Sequence, residues 1–470
     1  EIPQRCLLIR YLGIVILLNR LLSWHSMFER VLIANRGEIA LRISRALRTL
    51  GCEVAIIHGR EDRLSLPVRF SDIAIPNYSA NPLDAYLDYE KVIEAAKEIG
   101  AQAIHPGYGF LAENADFVRR CEEEGITFIG PSSDVISLLG DKIEARKAME
   151  AAGLPVAKGS SEPVASSSEA AKIATDIGYP VIIKAAAGGG GIGMQIVYQE
   201  SEFDSALNLC QSRARSAFGD ERVFIEKYIE GAQHIEFQVL ADGKNAIHFG
   251  ERFCSIQRRH QKLLEEGPWL SPEVREDIGA RVCAGAEAVG YKGLATFEFL
   301  RDSSGEFYFL EVNPRVQVEH TVTEMITGHD LVSLGIRIAA GESLPFTQDE
   351  IEISGHAIQC RINAEDPVNF APSPGRLWDC HFPAGFGVRV DTHAHVGYEM
   401  PGCFDSLLAK MIVWAPTRED AIAGMKTALS ETVLVGVETV IPLHKVILSE
   451  PDFLARDITI QYIEEHPNLL

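Results

Sequence analysis

Residues 184–197 read KAAAGGGGIGMQIV and place five glycines between positions 188 and 193. Gly188, Gly190 and Gly193 match the G-x-G-x-x-G pattern of dinucleotide-binding proteins, but that pattern opens a helix, because the pyrophosphate binds at a helix N-terminus. Here residues 194–198 are rich in β-branched side chains and predict a strand. No Gly-Lys-Ser/Thr follows, which excludes a Walker A loop. The stretch therefore predicts a strand, a glycine loop and a second strand.

The composition is that of an ordinary globular chain. Its 470 residues suggest about three domains, since one core rarely serves a chain of this length. A formal net charge of −22 argues against nucleic acid or an anionic membrane as the main partner, but leaves room for a local basic pocket. The nine cysteines form no C-x-x-C pair, which favours a reducing compartment: the cytoplasm, or the mitochondrial matrix in a eukaryote.

The N-terminal segment does not fit the pattern of the rest. Residues 6–24 are very apolar, but two arginines and an asparagine interrupt them. The longest uninterrupted apolar run is therefore far shorter than the roughly 20 residues that a membrane-spanning helix needs. No small-residue cleavage site follows, so a secretory signal is not indicated. The segment has arginines and no acid between Glu1 and Glu29, which fits an organelle transit peptide only weakly. We expect instead that Met27 starts the protein and that residues 1–26 lie outside the fold.

From residue 30 onwards, short β-branched runs alternate with helical periods. The predicted strands are residues 30–34, 54–58, 101–105 and 127–129, and the predicted helices are residues 37–50, 89–99, 114–124 and 142–152. Alternation of strands and helices predicts a parallel sheet covered by helices. Longer, hairpin-like strands follow between residues 234 and 320, and a region of mixed strands and helices begins after Gly341.

The sequence EVNPRVQVE, residues 311–319, carries polar side chains at every second position. In an extended chain alternate side chains share a face, so two acids, an amide, an arginine and a glutamine point together. A solvent-exposed strand face also alternates, but it would use Lys, Thr and Ser freely. We therefore favour a functional face.

The segment before this stretch predicts a β-hairpin, since the runs ATFEFL and EFYFLE flank a five-residue turn. We expect Arg301 to pair with Glu306, which places Glu298 diagonal to Glu311 on one face. With Asn313 these acids form an all-oxygen set suited to Mg²⁺ or Mn²⁺ held jointly with nucleotide phosphates. A shift of one residue in register would place the two acids on opposite faces.

Basic residues concentrate in QRRHQK, residues 257–262, despite the acidic whole. Together with Lys142 and Lys184 they could neutralise a triphosphate and a second anion. A solvated basic turn explains the hexapeptide equally well. Residues 226–229, EKYI, fit a hinge that offers backbone groups to an adenine, or simply a strand with a satisfied acid.

These stretches together resemble the biotin carboxylase component of biotin-dependent carboxylases, an ATP-grasp family. The resemblance covers residues 27–465 and rests on VLIANRGEIALRI (31–43), HPGYGFLAEN (105–114), GDK (140–142), GYPVIIKAAAGGGG (178–191), EKY (226–228), CSIQRRHQK (254–262), TFEFL (296–300), NPRVQVEHTVTEMITG (313–328) and CRINAED (360–366). ATP-grasp ligases in general share the lysines and paired acids, but not RRHQK, RVQVEH or RINAED.

The resemblance implies an α/β (α+β) fold of three domains. A Rossmann-like domain would cover residues 27–141, an ATP-grasp domain residues 142–341 with a mobile lid at 157–231, and a C-terminal mixed α/β biotin carboxylase domain residues 342–467.

The resemblance also implies the roles of individual residues. ATP would be bound by Lys142, Lys184, Gly189, Gly190, Gly191, Glu226, Lys227, Ile229, His234, Gln257, His260, Glu298, Leu300 and Glu311. Two Mg²⁺ or Mn²⁺ ions would be held by Glu298, Glu311 and Asn313. Bicarbonate would be held by Lys262, Arg315, Gln317 and Val318. Glu319 would deprotonate it, and Arg361 would bind biotin and stabilise its enolate.

The implied reaction joins bicarbonate to the γ-phosphate of ATP and passes CO₂ from carboxyphosphate to N1′ of biotin. No Met-Lys-Met biotinylation sequence occurs, so we expect the biotin carboxyl carrier protein and the carboxyltransferase to be separate chains. The final acceptor stays open between acetyl-CoA, as in fatty acid biosynthesis, propionyl-CoA and pyruvate. Family members commonly form homodimers, with Arg45, Phe386 and Arg389 at contributing positions.

Two other functions stay open. One is a different ATP-grasp carboxylase or ligase, such as a carbamoyl-phosphate-type domain. The other is a nucleotide-binding scaffold that has lost activity, which the intact set of catalytic residues disfavours.

The chain departs from the family pattern at two informative positions. Ile192 stands in the glycine loop where a basic residue is usual, and Phe253 replaces an aspartate. The loop after residue 262 is also about two residues shorter, and the turn between Glu298 and Glu311 about one residue longer.

Replacing Ile192 by arginine is expected to strengthen ATP binding, because a cation in the loop attracts the triphosphate. The measurement is the KM for ATP at several salt concentrations. An unchanged KM in the variant would contradict the prediction.

Overall fold

The computed structural model describes residues 27–469, apart from residues 161, 165, 187–192 and 260 and the side chain of Phe218. The predictions for residues 1–26, Gly189, Gly190, Gly191, Ile192 and His260 therefore lie outside the described residues. Of the helices in the described part of the chain, none is both long and apolar enough to cross a membrane.

Residues 27–140 form a five-stranded, all-parallel sheet with strand order β3-β2-β1-β4-β5. Its strands are β1 (Arg30–Ile33), β2 (Glu53–His58), β3 (Ile73–Pro76), β4 (Ala103–His105) and β5 (Thr127–Phe128). Its helices are α1 (Gly37–Thr49), α2 (Leu66–Arg69), α3 (Asp84–Leu87), α4 (Tyr89–Glu98), α5 (Ala115–Glu123) and α6 (Ser133–Gly140). The predicted alternation is confirmed. The sequence patterns missed β3, α6 and the two single-turn helices α2 and α3.

The glycine loop connects the first two strands of a small antiparallel sheet. This sheet has the order β7-β6-β8 and contains β6 (Val181–Ala185), β7 (Met194–Val197) and β8 (Val223–Lys227). Helix α7 (Lys142–Ala151) precedes it, and α8 (Ser167–Ile177) and α9 (Phe203–Phe218) accompany it. Lys184 pairs with Met194, so the two predicted strands are confirmed, while the glycines between them at 188–191 lie outside the described residues. Gly193 is required where β7 begins, because its φ is +78° and a Cβ there would lie 3.1 Å from the Cβ of Ala185.

The largest sheet has eight antiparallel strands in the order β13-β12-β9-β10-β11-β14-β19-β17. These are β9 (Gln233–Asp242), β10 (Ala246–Arg258), β11 (Gln261–Gly267), β12 (Lys292–Arg301), β13 (Phe307–Asn313), β14 (His356–Asn363), β17 (Val388–Thr392) and β19 (Leu407–Ala415). The sheet crosses the predicted boundary at residues 341/342, because β11 pairs directly with β14. One continuous apolar core lies under both regions, and the division into two domains there stays a prediction.

The remaining elements cover this sheet and its ends. They are α10 (Pro272–Ala288), α11 (His320–Thr327), α12 (Leu331–Ala339), α13 (Arg418–Glu431), α14 (Ile441–Ile447), α15 (Pro451–Ala455), α16 (Tyr462–Glu465) and the short strands β15 (Gly375–Arg376), β16 (Asp379–His381), β18 (Glu399–Met400) and β20 (Val433–Val435).

The hairpin of β12 and β13 corrects the predicted register. Arg301 pairs with Phe307 rather than with Glu306. A bulge at Leu310 then shifts the pairing between Glu298 and Phe299, so Glu298 lies directly opposite Glu311. Without the bulge the two acids would face opposite sides of the sheet. The shared face was therefore predicted correctly from an incorrect register.

Phe253 is explained by the short loop that follows β11. Its ring stacks on Trp269, with centroids 3.8 Å apart and the planes inclined by 16°. Both side chains are buried. The guanidinium of Arg456 lies 4.7 Å from the centre of the Trp269 ring. The position that the family pattern assigns to an aspartate is thus an aromatic core position here.

Phe253→Ala is expected to lower the free energy of unfolding by about 3 kcal/mol, because a fully buried ring leaves a cavity and loses its stacking partner. Urea denaturation measures this, with Phe70→Ala, at a ring that is 53% exposed, as the matched control. Equal losses in the two variants would contradict the assignment.

Candidate active site

A cavity of about 720 Å³ lies between the small sheet and the eight-stranded sheet. Its walls contain every described residue of the predicted ATP set: Lys142, Lys184, Glu226, Lys227, Ile229, His234, Gln257, Glu298, Leu300 and Glu311. Asn313 also lines it. The structure therefore brings together side chains from both sheets and from the start of α7.

A second cavity, of about 490 Å³, lies on the other side of β11 and the turn after β13. It is lined by residues of the N-terminal region, such as Asn35 and Tyr108, and by Val318 and Phe404. The two cavities share Gln261, Lys262, Arg315, Gln317 and Arg361. We call these five residues the partition. Three of the four residues predicted to hold bicarbonate belong to it.

Lys262 is the electrostatic centre of the partition. Its Nζ donates to Glu236 and, at 2.9 Å, to Glu298, and lies 2.8 Å from Glu319. Burial alone would lower the pKa of Lys262, but the three carboxylates outweigh it and hold the pKa well above its usual range. Lys262 is therefore a permanent buried cation.

The pKa values of two of the carboxylates around Lys262 shift in the opposite direction. Burial alone would raise the pKa of Glu298, yet Lys262 and His234 hold it well below its usual range. For Glu319, the cations Lys262 and Arg361 likewise outweigh burial and lower the pKa. Both acids are thus ionised at neutral pH.

Sequence reasoning missed Glu236, the third acid around Lys262. It is fully buried, and the guanidinium of Arg252 donates to it at 2.6 Å from the other side. A signal was available: His234, Glu236 and Gln238 alternate along β9 and share one face. The same reasoning that found residues 311–319 would have found them.

The first cavity also contains two further lysine–acid pairs. Lys184 Nζ lies 2.6 Å from Glu226, and Lys142 Nζ lies 3.1 Å from Glu311. Burial lowers the pKa of Lys142, but Glu311 outweighs this and raises it. Ile460 and Gln461, which precede α16, also line the cavity and were not predicted. They come from the far end of the chain, which no local pattern could reveal.

The structure corrects the prediction that residues 311–319 are extended throughout. Strand β13 ends at Asn313, and a bend and a turn lead into α11. The polar side chains still meet: Arg315 donates to Asn313 at 3.0 Å and to Gln317 at 2.9 Å. Gln317 in turn donates to Glu298 at 3.0 Å. The proline at 314 and the turn curve the chain around the partition.

Arg361 occupies the edge of the partition between two acids. It donates to Glu265 through Nε at 2.6 Å and to Glu319 through Nη2 at 3.1 Å. Glu319 lies at the N-terminal end of α11, where the helix dipole further stabilises a negative charge. The predicted base and the predicted biotin ligand are therefore in direct contact.

Two groups of acids and other ligand-forming side chains lie close enough to suggest metal sites: His234, Glu236 and Glu298, and Glu236, Cys254 and Glu319. The ammonium of Lys262 contacts the acids of both groups. A divalent cation there would be repelled by a lysine that already neutralises the same oxygens. The predicted set of Glu298, Glu311 and Asn313 faces the first cavity, where Lys262 also contacts Glu298 and Lys142 contacts Glu311, and it stays a prediction.

Lys262→Met is expected to lower the free energy of unfolding at pH 7 by about 3–5 kcal/mol, because it leaves buried carboxylates without their cation. The lowered pKa values of Glu298 and Glu319 stabilise the fold above their unfolded pKa of about 4.3, and this contribution is lost as the pH falls below it. The difference between the two proteins should therefore shrink from pH 6 towards pH 3. Urea denaturation measures it, with Lys172→Met, at an exposed lysine, as control. A constant difference would contradict the assignment.

Three family models match the chain in order. They are described as the biotin carboxylase N-terminal domain, over residues 27–136, the carbamoyl-phosphate synthase L chain ATP-binding domain, over 141–347, and the biotin carboxylase C-terminal domain, over 359–465. Together they cover most of the chain.

Individual relatives agree with this result. A pyruvate carboxylase subunit of Methanothermobacter thermautotrophicus is 50% identical over 444 residues, which cover 94% of this chain and 90% of the relative. Biotin carboxylase of Haemophilus influenzae is 50% identical over 445 residues, covering 93% and 99%. The biotin carboxylase domain of Hydrogenobacter thermophilus 2-oxoglutarate carboxylase, solved as a dimer with MgADP, ADP and bicarbonate, superposes with a TM-score of 0.91 at 49% identity, covering 94% and 98%. With its ATP-grasp architecture and its partition of buried charges, the chain belongs to the biotin carboxylase family.

Proposed function

We propose that the chain catalyses the ATP- and bicarbonate-dependent carboxylation of N1′ of biotin carried on a carrier protein. The observation that carries this proposal is the partition. Two cavities share Lys262, Arg315, Gln317 and Arg361, so a small anion held there would touch a nucleotide on one side and a second substrate on the other. An enzyme that only hydrolyses ATP needs only the first cavity.

ATP would occupy the first cavity. Lys142 and Lys184 would attract its phosphates, and the acids that now hold these lysines, Glu311 and Glu226, keep them inside the cavity. Residues 226–229 would lie along the adenine ring of ATP. Positioning and charge neutralisation provide most of the rate enhancement in phosphoryl transfer.

The metal site fits Mg²⁺ or Mn²⁺. Glu298 and Glu311 lie opposite each other on neighbouring strands and both face the cavity. The amide oxygen of Asn313, which here accepts from Arg315, would complete the set. Hard divalent cations prefer such an all-oxygen donor set. When bound, the ions would neutralise charge on the phosphate oxygens. Lys262 would continue to hold the opposite side of Glu298.

Bicarbonate would bind at the partition, between Lys262 and Arg315, with Gln317 and the backbone at Val318. Glu319 is ionised and can therefore accept the bicarbonate proton while a bicarbonate oxygen attacks the γ-phosphorus and ADP leaves. Bound bicarbonate brings a negative charge beside Glu319 and competes for Lys262, which raises the proton affinity of the base. Carboxyphosphate then releases CO₂ and phosphate.

Biotin would enter from the second cavity. The rings of Tyr108, Phe110 and Phe404 give this cavity an apolar wall suited to a bicyclic ring system, and Arg361 stands at its inner end. Phosphate takes the ureido proton, N1′ attacks CO₂, and Arg361 stabilises the negative charge on the ureido oxygen.

The proposed carboxylation of carrier-bound biotin also implies partner proteins. We propose a separate biotin carboxyl carrier protein and carboxyltransferase, and a homodimer in which Arg45, Phe386 and Arg389 contribute. Phe386 is 91% exposed, which supports its place in a contact surface. The relatives carry the names of pyruvate, 2-oxoglutarate and biotin carboxylases, so the proposal covers the half-reaction that they have in common.

The purified chain is expected to cleave ATP only when bicarbonate is present, and faster when free biotin is added. The measurement is release of ADP with each substrate omitted in turn. Glu319→Gln should reduce the rate by about 10²–10⁴-fold, the usual contribution of a positioned base, with nucleotide binding retained. ATP cleavage driven by ammonia instead of biotin would favour a carbamoyl-phosphate-type ligase, and an inert chain would favour a scaffold.

A further inference from the structure

Glu265 contacts the catalytic arginine, yet neither the sequence patterns nor the reaction as described gives it a role. It is fully buried on β11, opposite Gln359 of β14, whose Nε2 donates to it at 2.9 Å. Arg361 stands two residues further along β14 on the same face, and its Nε and Nη2 both lie 2.6 Å from Glu265 Oε1. Thr321 donates to Gln359 and so fixes the amide.

Arg361 is shared unequally between two acids. It lies 2.6 Å from Glu265 and 3.1 Å from Glu319. Among the described residues, its Nη1 has no hydrogen-bond partner, and the side chain lines both cavities. A guanidinium held in this way keeps one edge free for a substrate. It also leaves Glu319 less tightly paired than full contact with Arg361 would.

We propose that Glu265 is a positioning residue that holds the Arg361 guanidinium at the partition and restrains it from closing onto Glu319. This inference rests on the proposed function. If Glu265 loses its charge, Glu319 becomes the only carboxylate among the described residues that Arg361 contacts. The guanidinium then moves towards Glu319, pairs with the base and withdraws from the second cavity.

Burial supports this mutual dependence. It raises the pKa of Glu265 above its usual range together with the neighbouring charge of Glu319, and Arg361 opposes this without cancelling it. Arg361 favours the ionised form of Glu265, and the 2.6 Å contact between the two side chains fixes the guanidinium.

The chain supplies a matched control in the next residue. Glu266 is also fully buried on β11, but it faces the other side of the sheet and holds Arg418 at 2.6 Å and His356 at 2.7 Å. Neither partner lines the two cavities. Glu265→Gln and Glu266→Gln therefore remove the same charge from the same strand, the first beside the partition and the second on the opposite face of the sheet.

The test measures biotin-stimulated ATP cleavage in the full chain carrying each substitution. Glu265→Gln should lower kcat/KM for biotin about 10–100-fold more than Glu266→Gln, because misplacing a catalytic group by about 1 Å costs this much. The KM for ATP should change less than about twofold. Equal effects of the two substitutions would overturn the proposal. If Glu265→Gln does not fold, Glu265→Asp, which keeps the charge but shortens the reach, should show the same selective loss.

A double-mutant cycle separates positioning from a general structural effect. Because Glu265 acts through Arg361, adding Glu265→Gln to Arg361→Gln should cause less than a further twofold loss, whereas Glu266→Gln should act independently in both backgrounds. Additive losses for Glu265 would overturn the proposal. Absence of bicarbonate-dependent cleavage in the unsubstituted chain would instead refute the proposed function.

Discussion

The ammonium of Lys262, enclosed by Glu236, Glu298 and Glu319, is the interaction on which the active site depends. Three buried carboxylates repel one another, and a single cation holds them in one place. The cost of removing these charges from water is recovered only because each acid also meets a second donor. Arg252, Asn313 and Arg361 are those donors. The cluster therefore fixes the relative positions of β9, β11, β12 and the start of α11.

This cluster also explains why the site lies between two cavities. The strands that carry it run through the middle of the eight-stranded sheet, with the small antiparallel sheet on one side and the N-terminal region on the other. A charged layer in such a place cannot be replaced by apolar packing without losing the proposed anion site. The buried charges thus cost stability in exchange for a preorganised electrostatic environment.

The residues that the sequence patterns predicted and those that they missed differ in a systematic way. Polar alternation along one segment revealed Glu311, Asn313, Arg315 and Gln317, since it depends only on local geometry. Glu236 and Glu265, which the patterns missed, lie on other strands and hold Lys262 and Arg361. The register of the hairpin was wrong by one residue at the turn and by two beyond the bulge at Leu310, because neither the turn length nor a bulge can be read from alternation. The roles of individual residues came from the family resemblance rather than from spacing.

The sequence by itself determined the parallel N-terminal sheet, the two strands on either side of the glycines and the residue types of the site, because hydrophobic period and turn chemistry are local properties. Only the tertiary structure decided that Glu298 lies opposite Glu311, that Lys262 meets three acids and that five residues separate two cavities. Those facts depend on register and on contacts between strands far apart in the chain. There the burial of charge, and not local propensity, selects the arrangement.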